Sequence, residues 1–201
     1  MIIGVDCDGV LTDMSSFILT CGELWFKRAP SNPSGYSIVD AFGCTQREEI
    51  KFGLRYFFKY CRNWPPREGA VETVSALNDE SHVLYEISSR KFVTMRNPLG
   101  AYSRFLYKTW LQKNGFHFQG IYFCAESEAA EEKLAYCRDC GAELMVDDRS
   151  DVALLLAENG IPVLLYDAPY NQDFEHPNVV RVYNWNDIYN AIQGFSDLLR
   201  K

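Results

Sequence analysis

The sequence predicts an α/β protein: a three-layer, doubly wound, mainly parallel sheet with a small helical cap inserted after the first strand. Three observations predict it. Apolar runs of strand length recur after helix-like stretches, the pattern of βα units whose strands are buried on both faces. Several helical stretches close on a glycine, where a left-handed cap is needed. Between the first two strands the rhythm breaks, from 14 to 67, in an aromatic-rich segment with helical patterns of its own.

"IIGVD" (2–6) is the first strand and hands the chain directly to "CDGVLTD". The insertion follows. "TQREEIKFGLRYFFKYC" (45–61) has helical character, and "PSNPSG" (30–35) and "NWPP" (63–66) supply breakers. Because this segment leaves the sheet just after Asp8 and returns before the second strand, it stands over the carboxyl end of the first strand, where ligands bind in open α/β sheets. The expected organisation is a core of 1–13 and 68–201 with a cap of 14–67. The second to sixth strands are "HVLYEIS" (82–88), "GIYFC" (120–124), "ELMVD" (143–147), "PVLLYD" (162–167) and "VVRV" (179–182). Helical patterns separate them: "YSRFLYKTWLQKNG" ends at Gly115, "SEAAEEKLAYCRDCG" at Gly141 and "SDVALLLAENG" at Gly160, and Asn186 caps a last helix, "DIYNAIQGFSDLL".

A chain of 201 residues, 47% hydrophobic, builds one sizeable core. Its formal net charge of −7 opposes general affinity for nucleic acid polymers or anionic membranes. With no basic leader ahead of "IIGVD" and no apolar run of membrane-spanning length, a soluble cytoplasmic protein is expected. Seven cysteines, an odd number scattered along the chain, do not resemble a disulfide framework. Cys137 and Cys140 of "CRDC", at helical i,i+3 spacing with no second such pair and three dispersed histidines, read as packing residues rather than metal ligands.

The chemistry gathers at the strand ends. Asp6 and Asp8 follow the first strand, Ser88 and Ser89 the second, Asp147 and Asp148 the fourth with Asp151 one turn later, and Lys133 lies on the helix before that fourth strand. Carboxylates so close repel one another unless a hard cation neutralises them, and oxygen-only ligands select Mg²⁺. Mg²⁺ normally shares its site with a phosphate. Serine hydroxyls, the lysine ammonium and the backbone N–H groups of "DGVLTD", beginning near Gly9, are natural partners for phosphoryl oxygens.

These residues carry a family resemblance. "DCDGVLTD" resembles the first motif, DxDGxxxD, of the haloacid-dehalogenase-like phosphohydrolases; "VLYEISSR" resembles their second, Lys133 falls where a third-motif lysine is expected, and "ELMVDDRSD" resembles the fourth. The resemblance implies a Rossmann-like core in which Asp6 is the nucleophile, forming an aspartyl-phosphate, and Asp8 is the general acid and then the base. It further implies Mg²⁺ held by the Asp6 carboxylate, the Asp8 carbonyl and Asp148, with Asp147 or Asp151 in support. Ser88 and Lys133, with Ser89 and Gly9 beside them, would bind the phosphoryl group. Members that dehalogenate lack an acid two residues after the nucleophile, so Asp8 favours a phosphatase.

The insertion, "VDDRSD" and "SSR" are most similar to the cytosolic 5′(3′)-deoxyribonucleotidase branch and its bacterial relatives, although "SSRKF" departs from that branch's usual "TSP". The expected substrate is a small phosphorylated metabolite, foremost a nucleoside monophosphate. A sugar phosphate is the alternative, as is a non-catalytic phosphate-binding protein on the same fold. Phe17, Trp25, Phe42, Phe57 and Trp64 either stack on a base or form the cap's own core, with Phe17 best situated to reach over the phosphate. Arg90 either clamps a second phosphate or a carboxylate, or is a solvated surface residue. Lys51, Arg55, Lys59 and Arg62 share a helical face that reads as solvated, with a phosphate-steering stripe as the alternative. The loop 167–178 begins at the site's rim and either adds a wall to the pocket or is a surface connection.

Overall fold

Six strands form the sheet: β1 (Ile2–Val5), β2 (Val83–Ser89), β3 (Gly120–Cys124), β4 (Leu144–Asp147), β5 (Val163–Tyr166) and β6 (Val179–Val182). They belong to a computed structural model that describes residues 1–90 and 92–199. The order is β3-β2-β1-β4-β5-β6 and every pairing is parallel. All six expected strands form, each within a residue or so of its apolar run.

Alternation along the strands assigns the two faces. Ile3, Val5, Leu84, Leu144 and Val146 pack on one side against α4 (Ala70–Asp79), α5 (Pro98–Lys113) and α8 (Trp185–Leu199). Ile87, Met145, Val163 and Leu165 pack on the other against α6 (Ala129–Cys140) and α7 (Ser150–Glu158). Three layers result. Cys137 is wholly buried in the second cluster, in keeping with a packing role.

The insertion contains α1 (Met14–Phe26), α2 (Ile38–Phe42) and α3 (Gln46–Asn63), gathered around Phe17, Phe42, Phe52 and Tyr60. Thr45 and Glu48 close a capping box at the start of α3, and Ser37 and Asp40 do so for α2. Where the segment leaves and rejoins the core, its ends are stitched together. The Arg67 N–H donates to the Leu11 carbonyl at 2.7 Å, and Arg67 Nε to the Gly9 carbonyl at 3.0 Å.

Some boundaries differ from the sequence reading. α5 starts at Pro98 rather than Tyr102, because Asn97 caps it by accepting the Gly100 N–H and Pro98 suits a first turn. α8 starts at Trp185, and its cap is Asn184, not Asn186: Asn184 Oδ1 accepts the Asp187 N–H at 2.9 Å while Asp187 accepts back from Asn184 and the Tyr183 N–H. No helix among the described residues is long and apolar enough to cross a membrane.

Candidate active site

The ladder of β1 continues one residue past its end, where the Asp6 N–H donates to the Val146 carbonyl at 2.9 Å. The chain then folds tightly, with the Cys7 carbonyl accepting the N–H groups of Val10, Leu11 and Thr12. Gly9 makes the next step possible. Its φ is +96°, and a Cβ there would lie 2.1 Å from Asp148 Oδ2, so the loop after β1 and the end of β4 meet only because this residue has no side chain.

Asp6, Asp147 and Asp148 are all buried, and each offers a carboxylate oxygen within 4.8 Å of the others. Lys133, fully buried on α6, lies among them: Nζ is 2.9 Å from Asp6 Oδ1 and 2.6 Å from Asp147 Oδ2. Asp147 Oδ1 accepts the N–H groups of Asp148 and Arg149 at 2.9 and 3.0 Å, so both of its oxygens are engaged. Asp148 is held by the loop after β5. Asn171 donates to its carbonyl at 2.7 Å and the Tyr170 hydroxyl donates to Oδ2, leaving Oδ1 buried with no hydrogen-bond partner among the described residues.

Burial pushes the Asp6 carboxyl up to about 7, with the Lys133 ammonium opposing and Asp147 and Asp8 adding to the rise. Burial, then Asp147 and Asp6, push Asp148 well above the usual carboxylate range. Burial also works against the Lys133 charge, but Asp147 and Asp6 outweigh it and hold the ammonium protonated. Crowded acids, an open buried oxygen and an all-oxygen donor set fit a hard divalent cation. Asp151 stands apart from this cluster, because Arg149 Nε takes it at 3.0 Å toward the surface.

Asp8 sits differently. Arg90 Nε donates to both of its oxygens at 2.8 and 2.9 Å, and the Tyr60 hydroxyl donates to Oδ1 at 2.7 Å. The solvated reading of Arg90 is therefore wrong: it is buried, and the carboxylate it clamps is the protein's own. Ser89 lies on the wall of the cavity above these groups. Alternation along β2 turns Ser88 to the opposite face, where its hydroxyl is buried with no hydrogen-bond partner among the described residues.

That cavity runs from Asp8, Ser89 and Asp148 up between the core and the insertion, walled by Phe17, Phe52, Phe57 and Tyr60 from the helices above. Phe17 is mainly a core residue, packed on Tyr60, Trp64 and Phe52 at ring separations of 4.5, 5.1 and 6.1 Å, with part of its surface on the cavity. Trp25, Phe42 and Trp64 do not line it; Trp25 packs on Tyr56 and Phe42 on Phe26. Lys51, Arg55, Lys59 and Arg62 are exposed, as a solvated face requires.

The loop after β5 does add a wall, through Tyr170, whose ring meets that of Tyr36 edge-on at 5.0 Å. Neither tyrosine stands out in the sequence, nor does Asn171. The only available signal was the position of 167–178 beyond a strand end at the rim.

A sheet in this order, with acids, Ser89 and a lysine converging at the carboxyl ends of β1, β2 and β4 beneath a helical insertion, has the architecture of the haloacid-dehalogenase-like hydrolases. A haloacid-dehalogenase-superfamily hydrolase from Geobacter sulfurreducens shares the fold, with a TM-score of 0.58 and 15% identity over 95% of each chain. So does a D,D-heptose bisphosphate phosphatase from B. bronchiseptica, solved with magnesium and phosphate, with a TM-score of 0.58 and 10% identity over 96% of this chain and 98% of that one. The family described as 5′ nucleotidase, deoxy (pyrimidine), cytosolic type C protein matches residues 1–196, and the chain belongs to it. A nucleotidase from Clostridium acetobutylicum is 22% identical over 192 residues, covering 94% of this chain and 92% of the relative. The protein is thus a phosphoric monoester hydrolase of a nucleotidase family.

Proposed function

We propose that this enzyme hydrolyses nucleoside monophosphates through an aspartyl-phosphate on Asp6, with Mg²⁺ as its cofactor. The observation that carries the reading is the joining of two unlike regions in one cavity. At its floor are Asp8 and Asp148, the latter part of the buried acid cluster that encloses Lys133; its upper walls are mainly aromatic and apolar.

Asp6, the Asp8 carbonyl and Asp148 would hold the ion, and a bound Mg²⁺ would neutralise the crowded acids and the phosphoryl oxygens. Asp147 does something else, in keeping with its two engaged oxygens: it fixes Lys133 and the turn into α7. Lys133, Ser89 and the N–H groups around Gly9 bind and orient the phosphoryl group, a largely electrostatic task. An Asp6 oxygen attacks phosphorus, the bond to the leaving oxygen breaks, and the Asp8 carboxyl gives that oxygen its proton. Asp8 then takes a proton from the water that releases phosphate.

The walls favour a nucleoside over a second charged group. Among the described residues that line it the cation is Arg90, and Asp8 already neutralises it, so a second phosphate would find no free cation among them. Aromatic faces instead suit a base.

Phosphate release from a panel of nucleoside monophosphates and sugar phosphates, with and without Mg²⁺, tests the proposal. Metal-dependent release concentrated on nucleotides is expected, and Asp6→Asn should abolish it while leaving the melting curve of the protein cooperative. Turnover retained in that variant would remove Asp6 as nucleophile; release mainly from sugar phosphates would overturn the nucleotide assignment.

A further inference from the structure

We infer that Arg90 is the positioning residue for Asp8, fixing one carboxylate oxygen so that the other faces the leaving group. The inference rests on Asp8 acting as the proton donor. Arg90 leaves β2 at the rim, and nothing in its sequence position distinguishes a surface role from a buried one.

Its surroundings do distinguish them. Arg90 is 6% exposed, a degree of burial that an arginine tolerates only when paired. Its guanidinium carbon lies 4.5 Å from the ring centre of Tyr107 on α5 and 5.1 Å from that of Tyr60 on α3, so two aromatic faces fix its plane. What that plane grips is unequal. Among the described residues, Oδ1 of Asp8 receives Nε at 2.8 Å, the Tyr60 hydroxyl at 2.7 Å and also Nη2, whereas Oδ2 receives only the shared Nε at 2.9 Å. Three donors anchor one oxygen. The other is left as the site that carries the proton, on a side chain that is 17% exposed and borders the cavity.

A purely structural ion pair between the strand end and the loop would use the same atoms, so the distinction must come from chemistry. Leaving-group protonation matters for an alkyl phosphate, whose alkoxide is a poor leaving group, and little for 4-nitrophenyl phosphate, whose phenolate departs unaided. Benzyl phosphate is an alkyl ester of similar size, and kcat/KM reports on transfer to the nucleophile without the later hydrolysis.

The experiment compares kcat/KM for benzyl and 4-nitrophenyl phosphate in the wild-type enzyme, Arg90→Met, Arg90→Lys and Asp8→Asn, with melting curves for each. Lysine retains the charge but lacks the planar fork, so both Arg90 variants should behave alike. The expected loss on benzyl phosphate is about 10²-fold, within the span that general acid catalysis supplies, with a loss on 4-nitrophenyl phosphate of about tenfold or less. Equal losses on both esters, or no loss on either, would overturn the inference. Asp8→Asn separates this from the underlying reading. A selective loss there with unselective Arg90 variants sinks the inference alone, while an unselective Asp8→Asn sinks the proton-donor role and the inference with it. Should Arg90→Met fail to fold, Tyr60→Phe removes one donor to Oδ1 and keeps the ring, and its loss must have the same selectivity.

Discussion

At Gly9 the loop after β1 and the end of β4 come closer than any side chain allows, and the site depends on that approach. An alanine methyl would stand 2.1 Å from Asp148 Oδ2 on a backbone at φ +96°, so it meets both a clash and a strained conformation. The positive φ alone costs more than the ~1 kcal/mol that ordinary Gly to Ala changes involve. Relief comes most easily by moving Asp148, since Tyr170 and Asn171 tether it from a loop whereas the Cys7 turn is closed by three backbone bonds. Gly9→Ala should therefore lose activity chiefly through weakened Mg²⁺ binding, seen as a rise in the Mg²⁺ concentration for half-maximal rate. A variant with an unchanged Mg²⁺ requirement would show that Asp148 does not depend on this contact.

Helices α1 and α3 of the insertion both present phenylalanine to the cavity, and their different burial decides which one can report on substrate. Phe17 on α1 is locked among Phe52, Tyr60 and Trp64, so Phe17→Ala would cost about 3–5 kcal/mol of stability and confuse folding with binding. Phe57 on α3 is half-buried and packs edge-on against Phe58 and Phe92, with part of its ring on the cavity. Stacking on a base contributes about 1–3 kcal/mol, so Phe57→Ala should lower kcat/KM for a nucleoside monophosphate by about 5- to 150-fold. A small aryl phosphate should be affected much less. Equal losses on the two would assign Phe57 to the core of the insertion rather than to the substrate.

The same scale explains what is legible in the sequence. The strands are legible because burial on both faces makes them continuous apolar runs, and α6 and α7 because Gly141 and Gly160 sit at left-handed positions just past them. α4 carries no such start signal: its N-cap is Gly69, with no side-chain cap. Asp6, Asp8 and Asp148 are legible as a group because parallel strands bring their carboxyl ends to one rim, and Lys133, on the helix before β4, joins them through its resemblance to a third-motif lysine. Arg90 is not, since its meaning depends on Tyr60 and Tyr107, which reach it from helices on either side of β2 in the chain. The choice between Ser88 and Ser89 needs the face assignment of β2, and Tyr36, Tyr170 and Asn171 acquire roles only through tertiary contact.

For the whole molecule, the acidic cluster sets folding against the function proposed for it. Folding brings Asp6 from β1 together with Asp147 and Asp148 from the end of β4 and buries all three, while Lys133 supplies one compensating charge. The ion-free protein therefore carries a repulsion that the unfolded chain does not, and a cation bound only by the folded state removes it. At a Mg²⁺ concentration of 100 times Kd the gain is about 2.7 kcal/mol, which for a chain of this size raises Tm by roughly 5–11 °C. Asp148→Asn keeps the shape of the side chain and removes one charge, so it should melt at or above the wild-type temperature without Mg²⁺ and show little further rise when Mg²⁺ is added. The two effects have opposite signs, which separates ion binding from a general loss of packing. Calorimetric melts of both proteins across a Mg²⁺ series decide the matter: a wild-type Tm that ignores Mg²⁺ would mean that the cluster holds no ion, and an Asp148→Asn variant that still responds fully would move the ion away from Asp148.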